Sequence, residues 1–151
     1  MQNSHDSLRL ENQLCFPIYL CAKEIVHKYA LLLKKLDLTY TQYIVMMYFW
    51  EKRQSNARNL SRVLLLDPST LTPLLIKLEN KGYITRTKSR VDGRNLKLII
   101  TAKGAKLEQK ALSISKKMQN CVNLPENEAK ILYELIYKVL NNIERNKNYE
   151  D

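Results

Sequence analysis

The sequence is poor in the residues that interrupt regular structure: its 151 positions hold only 3 Gly and 4 Pro. A sandwich or barrel rich in turns needs more of both, so a mainly helical chain is the expectation. Cysteine is scarce too. The three present (Cys15, Cys21, Cys121) are odd in number and lack metal-type spacing, which argues against a disulfide scaffold or a zinc site. No metal and no cofactor is implied, and reduced thiols suit a cytoplasmic location. Long apolar runs are also missing. The longest uncharged stretch, residues 38–50, falls short of the ~18–20 apolar residues of a membrane span and contains Thr, Tyr and Gln. Residues 1–6 have neither the basic nor the apolar region of a signal peptide, so neither a membrane partner nor secretion is expected.

What the chain does hold is an ordinary globular mixture, 45% hydrophobic and 26% charged, which excludes disorder. Its balance is basic. There are 25 Lys and Arg against 15 Asp and Glu, a net +10 that points to a polyanionic partner.

Apolar residues at steps of three and four predict a long amphipathic helix over about 8–36, through Leu14, Ile18, Ile25, Tyr29 and Leu33. Pro17 either sits in its first turn or kinks it. A second, largely apolar helix is predicted over 42–52, and a short one over 57–65 with Leu60, Val63 and Leu64 as its buried stripe. Asp67 and Pro68 read as the N-cap and first residue of a further helix, which Gly82 ends. Within that helix Leu71, Leu74, Leu75 and Leu78 share one face; Ser69, Thr72, Pro73, Ile76, Lys77 and Asn80 lie opposite. The period then changes to two over 83–89 and 95–101, around an Asp-Gly hairpin signal at 92–93. Leu96, Leu98 and Ile100 should face inward. Two long helices, about 102–120 and about 126–145, complete the chain.

This order, mainly α with a small β-hairpin, is the winged helix-turn-helix arrangement. Residues 52–97 carry 11 basic and three acidic side chains, a net +8 in under a third of the length. Duplex DNA is therefore the expected partner. Lys and Arg supply affinity by displacing phosphate counterions, while small polar side chains read base edges in the major groove. The candidate contacts are Ser69, Thr70, Thr72, Pro73 and Lys77 on the recognition helix. On the hairpin they are Arg86, Lys88, Arg90 and Arg94, with Asp92 as an internal partner that shapes the wing. The apolar stripes at both ends, 8–36 and 102–145, suggest helices that intertwine across a two-fold axis. A single domain would then hold the winged helix at 41–101, and a homodimer would read a pseudo-palindromic operator.

Four segments carry a resemblance: Leu14-Cys15-Phe16, Leu38-Thr39-Tyr40-Thr41-Gln42-Tyr43, residues 66–75 from Leu66-Asp67-Pro68 through Leu74-Leu75, and Asp92-Gly93-Arg94-Asn95. Across about 8–145 they look like MarR-family regulators, and most like the organic-hydroperoxide-sensing OhrR branch. That resemblance implies a dimeric repressor whose N-terminal cysteine is oxidised by an organic hydroperoxide, after which DNA is released. Cys15 matches the sensing thiol. Tyr29 and Tyr40 match tyrosines that reach it from the other subunit, Tyr19 is a further matching aromatic, and Cys121 resembles a resolving cysteine. Tyr29 lies fourteen residues beyond Cys15, about 21 Å along an unbroken helix, which fits a cross-subunit role. A helix start and phenol donors both favour the thiolate that such chemistry needs. Cys21 is turned about 240° from Cys15 and reads as a buried structural thiol.

Alternatives are a MarR-type regulator of a small aromatic or anionic ligand, and a broader thiol-based global regulator. A thiol peroxidase is not expected, because neither His5 nor His27 adjoins Cys15 in sequence.

Overall fold

The computed structural model describes residues 6–88 and 96–146, the side chains of Lys88 and Asn146 excepted. The chain divides into two compact units, 1–115 and 116–151.

In the first unit, helix α1 spans Cys15–Leu33 and continues as a 3-10 turn, Lys34–Leu36. Pro17 is its third residue, where the missing N–H belongs to the four donors that no helix satisfies internally, so the proline is accommodated without a break. Helix α2, Tyr40–Lys52, starts two residues earlier than its apolar pattern suggests. Thr39 accepts a hydrogen bond from the Gln42 N–H at 3.3 Å, and the Thr39 N–H donates to Gln42 Oε1 at 3.1 Å. This reciprocal cap fixes the start.

Strand β1, Gln54–Asn56, follows, then α3, Ala57–Leu64, with Asn56 as its N-cap. Leu65 closes α3 in a left-handed conformation at φ 51°, turning the chain into α4, Pro68–Asn80. Leu71, Leu74, Leu75 and Leu78 are buried on α4, as their spacing requires, and Pro73 sits exposed inside it. Gly82, at φ 72°, provides the left-handed residue that frees the chain for strand β2, Ile84–Lys88. Strand β3, Leu96–Ile100, lies between β1 and β2 in an antiparallel sheet, pairing Ser55 with Leu98 and Arg86 with Leu98.

The core is continuous from Leu33 and Leu36 through Val45, Met46, Phe49, Leu60 and the α4 leucines to Ile84, Leu98 and Ile114. Helix α5, Ala102–Val122, enters this core at a close approach of backbone to backbone. A Cβ on Gly104 would meet the Tyr83 carbonyl oxygen at 2.1 Å, and the Trp50 indole N–H donates to the Gly104 carbonyl at 3.0 Å. Only glycine fits there.

Three expectations change. Val63 is not part of the buried stripe of α3; it is 51% exposed, and Leu60 with half-buried Ala57 and Leu64 carries that face. Of the β3 trio, Leu98 is buried, Ile100 half-buried and Leu96 exposed at the strand's outer end. Cys21 is exposed, not buried, because it lies on a face of α1 whose neighbouring side chains are also largely exposed.

The second unit holds the end of α5 and helix α6, Glu126–Asn146. No side chain of α6 among the described residues is buried, although Ile131, Leu132, Leu135, Ile136, Val139, Leu140 and Ile143 form one apolar face. Among the described residues, no helix is long and apolar enough to cross a membrane.

Candidate nucleic-acid interface and thiol site

The face of α4 opposite its leucines carries Ser69, Thr72, Pro73, Ile76 and Lys77, with Thr70 at its side, all exposed. Pro68 opens the helix and fixes its first turn, so Ser69 and Thr70 stand at the N-terminal end, where a recognition helix meets base edges. Their hydroxyls offer both donor and acceptor.

Arg58 and Arg62 lie on α3, the first helix of the helix-turn-helix, and both are exposed. Arg62 is held by a polar chain that sequence reading missed. Its guanidinium donates to Asn59 Oδ1 at 2.9 Å; the Asn59 amide donates to the Tyr48 hydroxyl at 2.6 Å; Ser55 Oγ donates to the same oxygen at 3.4 Å. Asn56 in turn accepts from the Asn59 N–H at 2.8 Å. The available signal was the Asn56-x-x-Asn59 spacing at a helix start.

Arg86 does not belong with the free cations of the wing. Its Nε donates to Glu79 Oε2 at 2.6 Å and its backbone N–H to Glu79 Oε1 at 3.2 Å, with the side chain only 23% exposed. The carboxylate thus ties the first wing strand to the last turn of α4, and Arg86 shapes the interface from within. Lys88 ends β2, while Arg90, Asp92 and Arg94 lie outside the described residues.

Cys15 is the first residue of α1 and is exposed. Tyr19 is exposed one turn further on. Tyr29 and Tyr40 come together within one protomer: their ring centroids are 4.8 Å apart, with Tyr43 at 5.5 Å from Tyr29. Burial raises the pKa of all three phenols above the usual 10.0, and for Tyr29 and Tyr43 the neighbouring phenols raise it further. They therefore stay protonated, as hydrogen-bond donors, throughout the neutral range. Tyr29 stands about 21 Å along α1 from its own Cys15, by the rise of fourteen helical residues. Cys121, near the end of α5, is exposed. Among the described residues no group of three or more His, Cys, Asp or Glu is placed to hold a metal ion.

A family model described as transcriptional regulator SarA/Rot matches residues 27–111, which takes in α2, β1, α3, α4 and the whole sheet. The chain belongs to the SarA/Rot family. The HTH-type transcriptional regulator SarZ of Staphylococcus saprophyticus is 43% identical over 132 residues, covering 87% of this chain and 90% of that protein. Among solved structures, AbfR of Staphylococcus epidermidis matches with a TM-score of 0.78 at 30% identity, over 93% of this chain and 97% of that one. AbfR has been solved reduced on DNA, overoxidized on DNA, and in a disulfide form. A mutant MarR from E. coli, complexed with operator DNA, matches with a TM-score of 0.77 at 27% identity, over 84% of this chain and 93% of that one. This SarA/Rot chain is thus a DNA-binding transcriptional regulator of the SarA/MarR-like type, with a winged-helix fold. Its relatives are named as regulators, not as enzymes.

Proposed function

We propose that this SarA/Rot regulator is a homodimeric repressor, cytoplasmic and built as a single domain, that leaves its operator when Cys15 is oxidised by an organic hydroperoxide. The observation that carries the reading is an exposed thiol at the very start of α1, in a chain whose fold is shared with a regulator studied in reduced, overoxidized and disulfide states. The Cys15 thiolate attacks the terminal oxygen of the hydroperoxide; the O–O bond breaks, sulfenic acid forms, and the departing alkoxide takes a proton to leave as an alcohol. Cys121 of a second copy then condenses with the sulfenic acid, releasing water and forming a disulfide. Tyr19, Tyr29 and Tyr40 supply phenol donors to the thiolate, the latter two across the dimer.

Dimerisation is supported by the apolar faces of α1 and α6. Leu14 at the N-cap of α1, Ile18, Leu20 and Val26 on it, and Leu132, Leu135, Ile136 and Ile143 on α6, are exposed in the single chain. Exposed apolar faces of this kind are uncommon on a monomer and mark association surfaces. Ser69, Thr70, Thr72, Pro73 and Lys77 read one half-site, Lys88 contacts the backbone beside it, and Arg90 and Arg94 enter the flanking minor groove.

The test is an operator mobility shift with and without cumene hydroperoxide, on wild type and on Cys15→Ser, Cys21→Ser and Cys121→Ser. Release of wild type and Cys21→Ser, with Cys15→Ser bound throughout, is expected. A Cys15→Ser protein that peroxide still releases would overturn the reading. Release by a phenolic ligand without Cys15 would assign the ligand-controlled alternative instead.

A further inference from the structure

The segment between α1 and α2 is held by residues from the end of the recognition helix. Lys81 caps α4, and its ammonium donates to the Asp37 carbonyl, lies 3.0 Å from the Asp37 carboxylate and 3.4 Å from Gln42 Oε1. Two residues on, the Tyr83 hydroxyl donates to the Leu36 carbonyl at 3.4 Å. Asp37 sits in the left-handed region at φ 52°, which aspartate reaches more readily than most side chains. Gln42 is itself buried and already committed to capping α2 through Thr39. Lys103 adds a third tie, donating to the Lys81 carbonyl at 2.7 Å while standing 5.3 Å from the centre of the Tyr83 ring.

This knot lies between the two parts of the molecule that the redox reading needs to connect. Tyr29 on α1 and Tyr40 and Tyr43 on α2 flank the turn; α4 carries the reading face. We propose that Lys81 is a positioning residue that couples the turn between α1 and α2 to the recognition helix, so that a change at the tyrosine stack reaches the DNA-reading face through its ammonium. The proposal rests on the redox reading for its biological trigger, and on the geometry of the turn for the coupling itself. The Asp37 carboxylate is 80% exposed and adds little by itself, so the coupling runs chiefly through the Lys81 ammonium, whose side chain is 25% exposed and which also holds the Asp37 carbonyl and Gln42 Oε1.

The experiment measures operator affinity by fluorescence anisotropy, before and after hydroperoxide, for wild type, Lys81→Met, Asp37→Asn, the double variant and Lys81→Arg. Asn tolerates the left-handed conformation, so Asp37→Asn removes the carboxylate without disturbing the backbone. Reduced Lys81→Met should bind within about threefold of wild type, while the ratio of oxidised to reduced Kd shrinks about fivefold. Asp37→Asn, which keeps the carbonyl acceptor, should shrink that ratio by less, the double variant should shrink it no further than Lys81→Met, and Lys81→Arg should retain it. An unchanged ratio in Lys81→Met overturns the proposal, as does an equal loss of affinity in the reduced and oxidised states, which would make Lys81 a plain phosphate contact. A second readout does not depend on oxidation. Operator binding by reduced wild type should slow amide exchange over residues 34–42, and Lys81→Met should abolish that slowing. Equal slowing in both proteins overturns the coupling. If wild type binds DNA equally before and after peroxide, the redox reading fails, and the exchange measurement alone decides on Lys81.

Discussion

Between Leu33 and Ile114 apolar side chains close over one another, whereas on α1 before Leu33 and along α6 the same kinds of side chain meet solvent. The contrast is not one of composition. Helix α4 buries four leucines in thirteen residues, while α6 buries none of its seven aliphatic face residues in twenty-one. One part of the chain completes its core alone; the others carry faces that only another surface can cover. A stability measurement on the first part should accordingly be indifferent to protein concentration, and one on the second should not.

The contrast breaks most visibly at α6. Ile136→Glu places a charge in the middle of the exposed face, and sedimentation should then give the mass of one chain. Losing simultaneous engagement of two half-sites should weaken operator binding about 100-fold or more, by the arithmetic of linked sites. If Ile136→Glu leaves mass and affinity alone, the face has another role. Inside the core the expected effect is smaller but independent of partners. Phe49→Ala should cost about 3–5 kcal/mol in urea unfolding at any concentration, because Phe49 is fully enclosed. Gly104→Ala tests the entry of α5 into that core and should cost about 1–3 kcal/mol, as the added methyl drives the helix off the Tyr83 carbonyl. A variant as stable as wild type would mean that the two backbones part easily.

The smallest effect is at the border of the two regions, in the tyrosine stack. Tyr29, Tyr40 and Tyr43 have folded pKa values above their unfolded values near 10.0, so the folded state holds their protons more tightly. That contribution is present in full below pH 10 and is lost as pH rises through the higher folded values. The urea midpoint should stay level from pH 7 to about 9.5 and fall above 10, and Tyr29→Phe should flatten the fall.

Much of the reading helix was legible in the sequence. Its leucine stripe, its Pro68 start and its Gly82 stop are local signals, and each corresponds to what the backbone does. Strand β1 was not legible, since Gln54-Ser55-Asn56 has no apolar alternation and exists only because β3, over forty residues later, offers it a ladder. The pairing of Arg86 was not legible for a similar reason. Its charge is plain from the sequence, but its engagement by Glu79 depends on the Gly82 turn bringing strand and helix side by side. Val63 and Cys21 fail on a third ground: period predicts a face, but not whether anything packs on it. The Tyr48–Asn59–Arg62 chain joins two helices through side-chain hydrogen bonds, which leave no periodic trace.

Pro73, inside α4, has no N–H to give to the carbonyl four residues before it. The Ser69 carbonyl, which points along the helix toward Pro73, thereby lacks its regular partner on the exposed face of α4. Whatever is pressed against that face must leave room for a water or bring a donor of its own, so a single oxygen helps set which surfaces this helix accepts.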